Sequence, residues 1–188
     1  MISLIKTRRF DDNRGWFKES YNECRFAELG ITTRFVQENR SFSHTKGMLR
    51  GLHFQSPPFG QAKFVSCLRG RILDVFVDLR RGSPTFGHYD VVELSGEGDD
   101  QVFIPEGYAH GFMTLEPDTE IMYKVSNFYA PQHEYGVRWD DPQIGIKWPF
   151  AIDPANLSDK DHKLPLLSEI ESPFCYDGQP LSIQHLGP

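Results

Sequence analysis

Cysteine is scarce and scattered in this sequence. Cys24, Cys67 and Cys175 are odd in number and far apart. That pattern excludes a disulfide framework and any zinc spacing, and it fits a reducing cytoplasm. An excess of basic charge is lacking as well. The 188 residues carry a formal net charge of −6, with the two signs interspersed. A nucleic-acid partner needs a basic face, so none is expected; a local basic pocket for a phosphorylated small molecule stays compatible. No apolar run is long enough to cross a membrane, and no membrane association is expected. The opening Met1-Ile2-Ser3-Leu4-Ile5-Lys6 reads as a strand rather than the core of a signal peptide. Linkers, internal repeats and low-complexity tracts are absent too. With 39% hydrophobic and 24% charged residues, the chain reads as one soluble globular domain over 1–188.

What is present is a succession of short β-segments. Strands are predicted over 32–43, 62–68, 71–79, 88–94, 102–105, 111–115 and 120–127, with turns at Arg69-Gly70 and across Gly96-Glu97-Gly98-Asp99-Asp100. One weak helix is capped by Asn22 and ended by Gly30. Near-regular strand spacing with so little helix predicts an all-β sandwich or barrel. The run Ile72-Leu73-Asp74-Val75-Phe76-Val77 is apolar on both faces, which calls for packing on each side, for instance by a partner subunit. From Ala130 prolines punctuate the chain, with Trp139, Trp148 and Phe150 as anchors. The core is expected to run to about residue 168, with a short helical turn near 159–163. An irregular tail is expected over about 169–188, of the kind that is often mobile or partner-facing.

The chemistry concentrates around Arg50-Gly51-Leu52-His53-Phe54-Gln55. On a strand, His53 and Gln55 share a face with Gly51, while Leu52 and Phe54 take the other. Histidine titrates closest to neutral pH and is the commonest general base, although a lone histidine is more often a satisfied structural one. The segment Ile104-Pro105-Glu106-Gly107-Tyr108-Ala109-His110-Gly111-Phe112 has proline, glycine and histidine at the spacing of the second half of a cupin motif. In metal cupins that histidine is a ligand. The first half should offer two more histidines and a glutamate, and only His53 is there. A metal needs three or four good ligands, so none is expected. His110 would then bind a substrate phosphate or simply pack. Lys63 enters a strand and could aim an ammonium into a barrel mouth; alone it reads as a solvated strand-end lysine. Asp74, Asp78, Tyr123 and Tyr129 follow. A buried carboxylate beside a histidine fixes its tautomer and raises its basicity. A pocket tyrosine can donate a proton to a carbanion, though a core tyrosine with a bonded hydroxyl is commoner.

These motifs resemble the dTDP-4-dehydrorhamnose 3,5-epimerase family. The resemblance rests on Arg50 to Gln55, on Lys63, on Leu68-Arg69-Gly70-Arg71-Ile72-Leu73-Asp74 and its continuation to Arg80, and on Phe103 to Phe112. It continues through Tyr123-Lys124-Val125-Ser126-Asn127-Phe128-Tyr129, Glu134, Gly136, Arg138-Trp139-Asp140-Asp141-Pro142 and Trp148-Pro149. Asp12-Asn13-Arg14-Gly15-Trp16-Phe17-Lys18-Glu19 is similar to that family too. The resemblance implies a cupin-type jelly-roll, usually a homodimer. It implies action on a nucleotide-diphosphate-linked 4-keto-6-deoxy sugar without metal or organic cofactor. His53 would be the general base and Tyr123 the acid on the opposite face. Lys63 would lie by the C4 oxygen, and Asp161 would be the carboxylate partnering the histidine. Tyr129 would line the sugar or base pocket. Arg14, Phe17, Glu19, Gln37, Asn39, Arg50, His110 and Glu134 would bind substrate. Departures fall at Asn39-Arg40-Ser41, where Asn-His-Ser is usual, and at Asn127, where aspartate is common. A regiospecific 3- or 5-epimerase, an isomerase on another nucleotide sugar, and a non-catalytic sugar-binding cupin are the alternatives.

Overall fold

The computed structural model describes residues 1–187. Thirteen strands follow in order: β1 (Ile2–Lys6), β2 (Arg9–Asp12), β3 (Gly15–Lys18), β4 (Gln37–Ser43), β5 (Leu49–Gln55), β6 (Lys63–Arg69), β7 (Arg71–Asp78), β8 (Tyr89–Ser95), β9 (Asp100–Ile104), β10 (Tyr108–Thr114), β11 (Thr119–Val125), β12 (Glu134–Gly136) and β13 (Ile183–Leu186). Two short helices accompany them, α1 (Glu23–Glu28) and α2 (Asp159–His162). Two sheets form a cupin-type sandwich. One has the order β13-β1-β9-β6-β11-β4 and the other β12-β5-β10-β7-β8, while β2 and β3 form a separate hairpin.

Local chemistry explains the elements. The Asn22 side chain accepts from the backbone N–H groups of Cys24 and Arg25, and so caps α1 as predicted. Gly30 follows with φ +84°, the left-handed conformation that lets the chain turn away. The turn at Gly70 does not make a hairpin between its two flanking strands. It carries the chain from β6 in the first sheet to β7 in the second. The strand predicted over 32–43 is shorter, starting only at Gln37. Before it, Ile31 and Phe35 pack with Phe26 of α1 against Phe64 and Phe103 on the outer face of the first sheet. Conversely, β10 starts at Tyr108 rather than 111, because Tyr108 to Thr114 pair with β7 from Asp78 to Ile72. That extension puts His110 on a strand.

Alternation sorts the core into layers. Val65 and Cys67 of β6, Ile72 and Phe76 of β7, and Ile121 of β11 meet between the sheets. Val75, Val77, Leu52 and Phe54 point to the outside of the second sheet and are buried there. What covers them is the chain's own carboxy-terminal part, through Val137, Ile144, Leu167 and Phe174. The two-faced strand predicted at 72–77 is thus packed without a partner subunit. The irregular tail predicted over 169–188 is packed, as far as residues 169–187 describe it, and gains one strand that the sequence did not announce. Ser172 and Phe174 are buried, and β13 adds to the first sheet parallel to β1. Asp177 pairs with the buried Arg80, whose guanidinium also forks onto Asp78 and lies over the Tyr108 and Tyr176 rings. The sequence pattern could not reveal this, since the clasp joins residues almost a hundred positions apart.

Candidate active site

Between the two sheets, at the end where β5, β6, β10 and β11 open, lies a cavity of about 640 Å³. Its walls follow from strand alternation. Lys63 continues inward the row of Val65 and Cys67, and Tyr123 lies between Ile121 and Val125 on the inward face of β11. Both belong to the first sheet. His53 of β5 and His110 of β10 belong to the second and sit directly opposite each other in the ladder. His53 and Tyr123 therefore stand on opposite walls. Gly51 and Gly111 let β5 and β10 approach here; a Cβ on Gly51 would lie 2.7 Å from the Gly111 Cα.

The histidine of β5 is oriented from outside the sandwich. Its Nε2 is 2.6 Å from Asp161 Oδ1 on α2. An ionised carboxylate accepts the Nε2 proton and leaves Nδ1 free to take one. Asp161 is itself buried. Burial pushes its carboxyl upward, but the hydrogen bond and charge of His53 outweigh that and hold it below the usual carboxylate range. Ser158 caps α2 and donates nothing to the cavity floor except position: its Oγ accepts from the Asp161 backbone N–H at 3.2 Å. Asp161 was carried to the site by the resemblance alone; its partner lies 108 positions away.

Lys63 is the half-buried cation of the cavity. Its Nζ donates to the His53 carbonyl at 3.3 Å and lies 3.4 Å from His110 Nδ1. Burial lowers its pKa from 10.5 to about 8, with Asp74 and Glu134 opposing the shift and Lys160 adding to it. Burial likewise lowers the pKa of His110 and keeps its ring neutral. The Tyr123 phenol is pushed up by burial, against the nearby Arg50 charge, so it stays protonated. At the mouth, the Tyr129 hydroxyl donates to Glu134 at 2.7 Å and Lys160 donates to the other oxygen at 2.6 Å. Burial raises the Glu134 carboxyl, but the Lys160 and Tyr129 hydrogen bonds bring it below its ordinary value.

Gln37, Asn39 and Arg50 complete the lining. Ten of the residues singled out from sequence thus meet here: His53, Tyr123, Lys63, Asp161, Gln37, Asn39, Arg50, His110, Tyr129 and Glu134. Arg14, Phe17 and Glu19 do not join them. Arg14 is on the β2–β3 turn, 85% exposed and paired with Asp12. Phe17 on β3 is 68% exposed, and Glu19 pairs with Arg25. One functional candidate escaped the sequence reading: Lys160 was visible only as the residue before Asp161. Asp74, named from sequence among the carboxylates that could fix a histidine's tautomer, is fully buried with Oδ1 2.8 Å from His110 Nε2. Among the described residues no group of three or more His, Cys, Asp or Glu side chains could hold a metal ion.

The family model described as dTDP-4-dehydrorhamnose 3,5-epimerase matches residues 2–169. A dTDP-4-dehydrorhamnose 3,5-epimerase of Sinorhizobium fredii is 47% identical over 175 residues, covering 93% of this chain and 89% of its own. The solved dTDP-6-deoxy-D-glucose-3,5-epimerase of Legionella pneumophila, in complex with dTDP-4-keto-L-rhamnose, superposes with a TM-score of 0.86. It is 41% identical, over 95% of this chain and all of its own. A 3'-monoepimerase from Streptomyces bikiniensis, solved with dTDP-quinovose, superposes with a TM-score of 0.80 at 38% identity, over 88% of this chain and 83% of its own.

Proposed function

The chain belongs to the dTDP-4-dehydrorhamnose 3,5-epimerase family, and from that membership we propose how its residues work. It is an isomerase-class enzyme acting on a nucleotide sugar, of the type that converts dTDP-4-dehydro-6-deoxy-D-glucose to dTDP-4-dehydro-L-rhamnose. The observation that carries the mechanism is the opposition of His53, held by Asp161, to Tyr123 across the cavity.

A proton α to the C4 ketone becomes removable only if the enolate oxygen is stabilised. The Lys63 ammonium supplies that field, and such preorganised charges are worth several kcal/mol. His53 takes the proton from one face, with Asp161 stabilising the imidazolium. Tyr123 returns a proton to the other face and inverts the carbon. The same pair serves C3 and C5, since both carbons flank the one ketone. Gln37, Asn39, Arg50, Tyr129 and Glu134 hold the sugar, base and diphosphate, and positioning itself lowers the barrier; His110, with its ring nitrogens against Asp74 and Lys63, backs the lysine instead. No step calls for a cofactor.

Arg14, Phe17 and Glu19 act as substrate contacts if they come from a second copy. The hairpin that bears two of them exposes Phe10, Trp16 and Phe17 and pairs with no other strand of its own chain. A homodimer in which each hairpin reaches the neighbour's cavity accounts for both features. The two exposed free thiols, Cys24 and Cys175, fit a cytoplasmic setting.

Proton NMR in deuterated water with dTDP-4-dehydro-6-deoxy-D-glucose tests this reading. Deuterium at both C3 and C5 of an epimerised product is expected. Label at one carbon only would favour a regiospecific enzyme like the 3'-monoepimerase relative. Label at neither carbon would overturn the assignment.

A further inference from the structure

Asp74 takes no part in the mechanism above, yet it is the most deeply buried carboxylate near the cavity. Its neighbours Ile72 and Phe76 face the apolar core between the sheets, and Asp74 itself is 0% exposed. One oxygen, Oδ1, is 2.8 Å from His110 Nε2; the other, Oδ2, has no hydrogen-bond partner among the described residues. Burying a carboxylate this way is costly for stability and needs a compensating reason.

The reason emerges from counting protons on Lys63. An ammonium has three N–H donors. One goes to the His53 carbonyl at 3.3 Å. A second points along the 3.4 Å line to His110 Nδ1. That contact is a hydrogen bond only if Nδ1 carries no proton, which requires the ring proton to sit on Nε2. A proton on Nε2 inside the sandwich requires an acceptor there, and Asp74 is that acceptor. The third N–H of Lys63 is then left for the cavity.

We propose that Asp74 is a positioning residue: it fixes His110 as the Nε2–H tautomer and, through that ring, aims the Lys63 ammonium at the substrate carbonyl oxygen. The proposal rests on the epimerase reading for the identity of that oxygen. Lys63 is faced by His53 of β5, His110 of β10, Asp74 of β7, Tyr123 of β11, Glu134 of β12, and Asp161 and Lys160 of α2. Of these, Asp74 and Glu134 favour the ammonium and Lys160 disfavours it. Only Asp74 reaches it through a ring whose tautomer it controls. In Asp74→Asn the side-chain amide can donate to Nε2 instead of accepting. The ring proton then moves to Nδ1 and points at the ammonium.

The test is nitrogen NMR of histidine-labelled protein joined to kinetics. In the wild type near neutral pH, His110 should show the Nε2–H tautomer, and in Asp74→Asn the Nδ1–H tautomer. Asp74→Asn should lower kcat about 10- to 100-fold, in the range of ligand-orienting groups. KM should change less than about twofold, because the contacts that hold the substrate are kept. The alkaline limb of kcat should move to lower pH as the Asp74 charge is lost, and the change of tautomer, which a merely structural carboxylate would not cause, ties the loss of rate to the His110 ring. An Nδ1–H or doubly protonated His110 in the wild type overturns the proposal, with no variant needed. So does a folded Asp74→Asn with wild-type kcat and an unmoved limb. Failure of the wild type to turn over the sugar nucleotide would overturn the epimerase reading instead; the wrong tautomer in an active wild type overturns this proposal alone.

Discussion

His53 and Asp161, 108 positions apart in the chain, meet at 2.6 Å with the carboxylate buried and the ring lining the cavity. The short helix α2 exists to deliver that carboxylate. Replacing Asp161 by Asn keeps the shape but lets the ring take the other tautomer, so that its free nitrogen no longer accepts a proton. The expected loss in kcat is about 10²- to 10⁴-fold, the span of general-base catalysis. Steady-state kinetics on folded Asp161→Asn checks it, and a loss below about fivefold would contradict the role.

The charge on Lys63 sets an upper pH limit. Burial brings its pKa down to about 8. Only the ammonium stabilises the enolate, so activity is present below that value and is lost as pH rises through it. The pH profile of kcat/KM reports the free enzyme. It should fall on its alkaline side near pH 8, and Lys63→Met should remove that limb along with most of the rate.

Phe174 tests how much the packed tail contributes. It is buried, packs edge-on against Phe54 with ring centroids 5.6 Å apart, and covers the outside of the sheet that carries His53. Phe174→Ala should cost about 3 kcal/mol or more of folding stability, as buried phenylalanines do. Urea unfolding measures this; a midpoint unchanged from wild type would mean that the tail is dispensable.

The sequence made the strands of the site legible because alternation is local. Alternation placed His53, Lys63 and Tyr123 on strands, but their roles in the cavity came from the resemblance, since alone each reads equally well as a structural residue. Asn22 and Gly30 announced α1 by local signals too. Asp161 and the Arg80–Asp177 clasp were not legible from pattern, since both depend on contacts between distant segments. Asp74 was named as a carboxylate able to fix a histidine's tautomer, but which histidine was not legible, and its partner His110 was read as a phosphate ligand or a packing residue. Arg14, Phe17 and Glu19 were recognised by motif, but no pattern says which subunit's cavity a hairpin serves.

If the hairpin of one subunit completes the neighbour's site, two inactive chains can repair each other. Arg14→Ala and His53→Ala protomers, refolded together, should form mixed dimers with one intact site. Random pairing should restore about a quarter of wild-type activity at limiting substrate, by the statistics of a two-fold dimer. No recovery in verified mixed dimers would place Arg14 in its own subunit's function or in none.

The most direct test of the opposed-wall mechanism is Tyr123→Phe in deuterated water, with label and configuration at C3 and C5 read on the same sample. Without the phenol, His53 still removes the proton from its face and returns a solvent deuteron to that same face. The account predicts deuterium incorporation with retained configuration and little epimer. Epimerisation at the wild-type rate, or loss of all exchange in a folded protein with His53 intact, would contradict it.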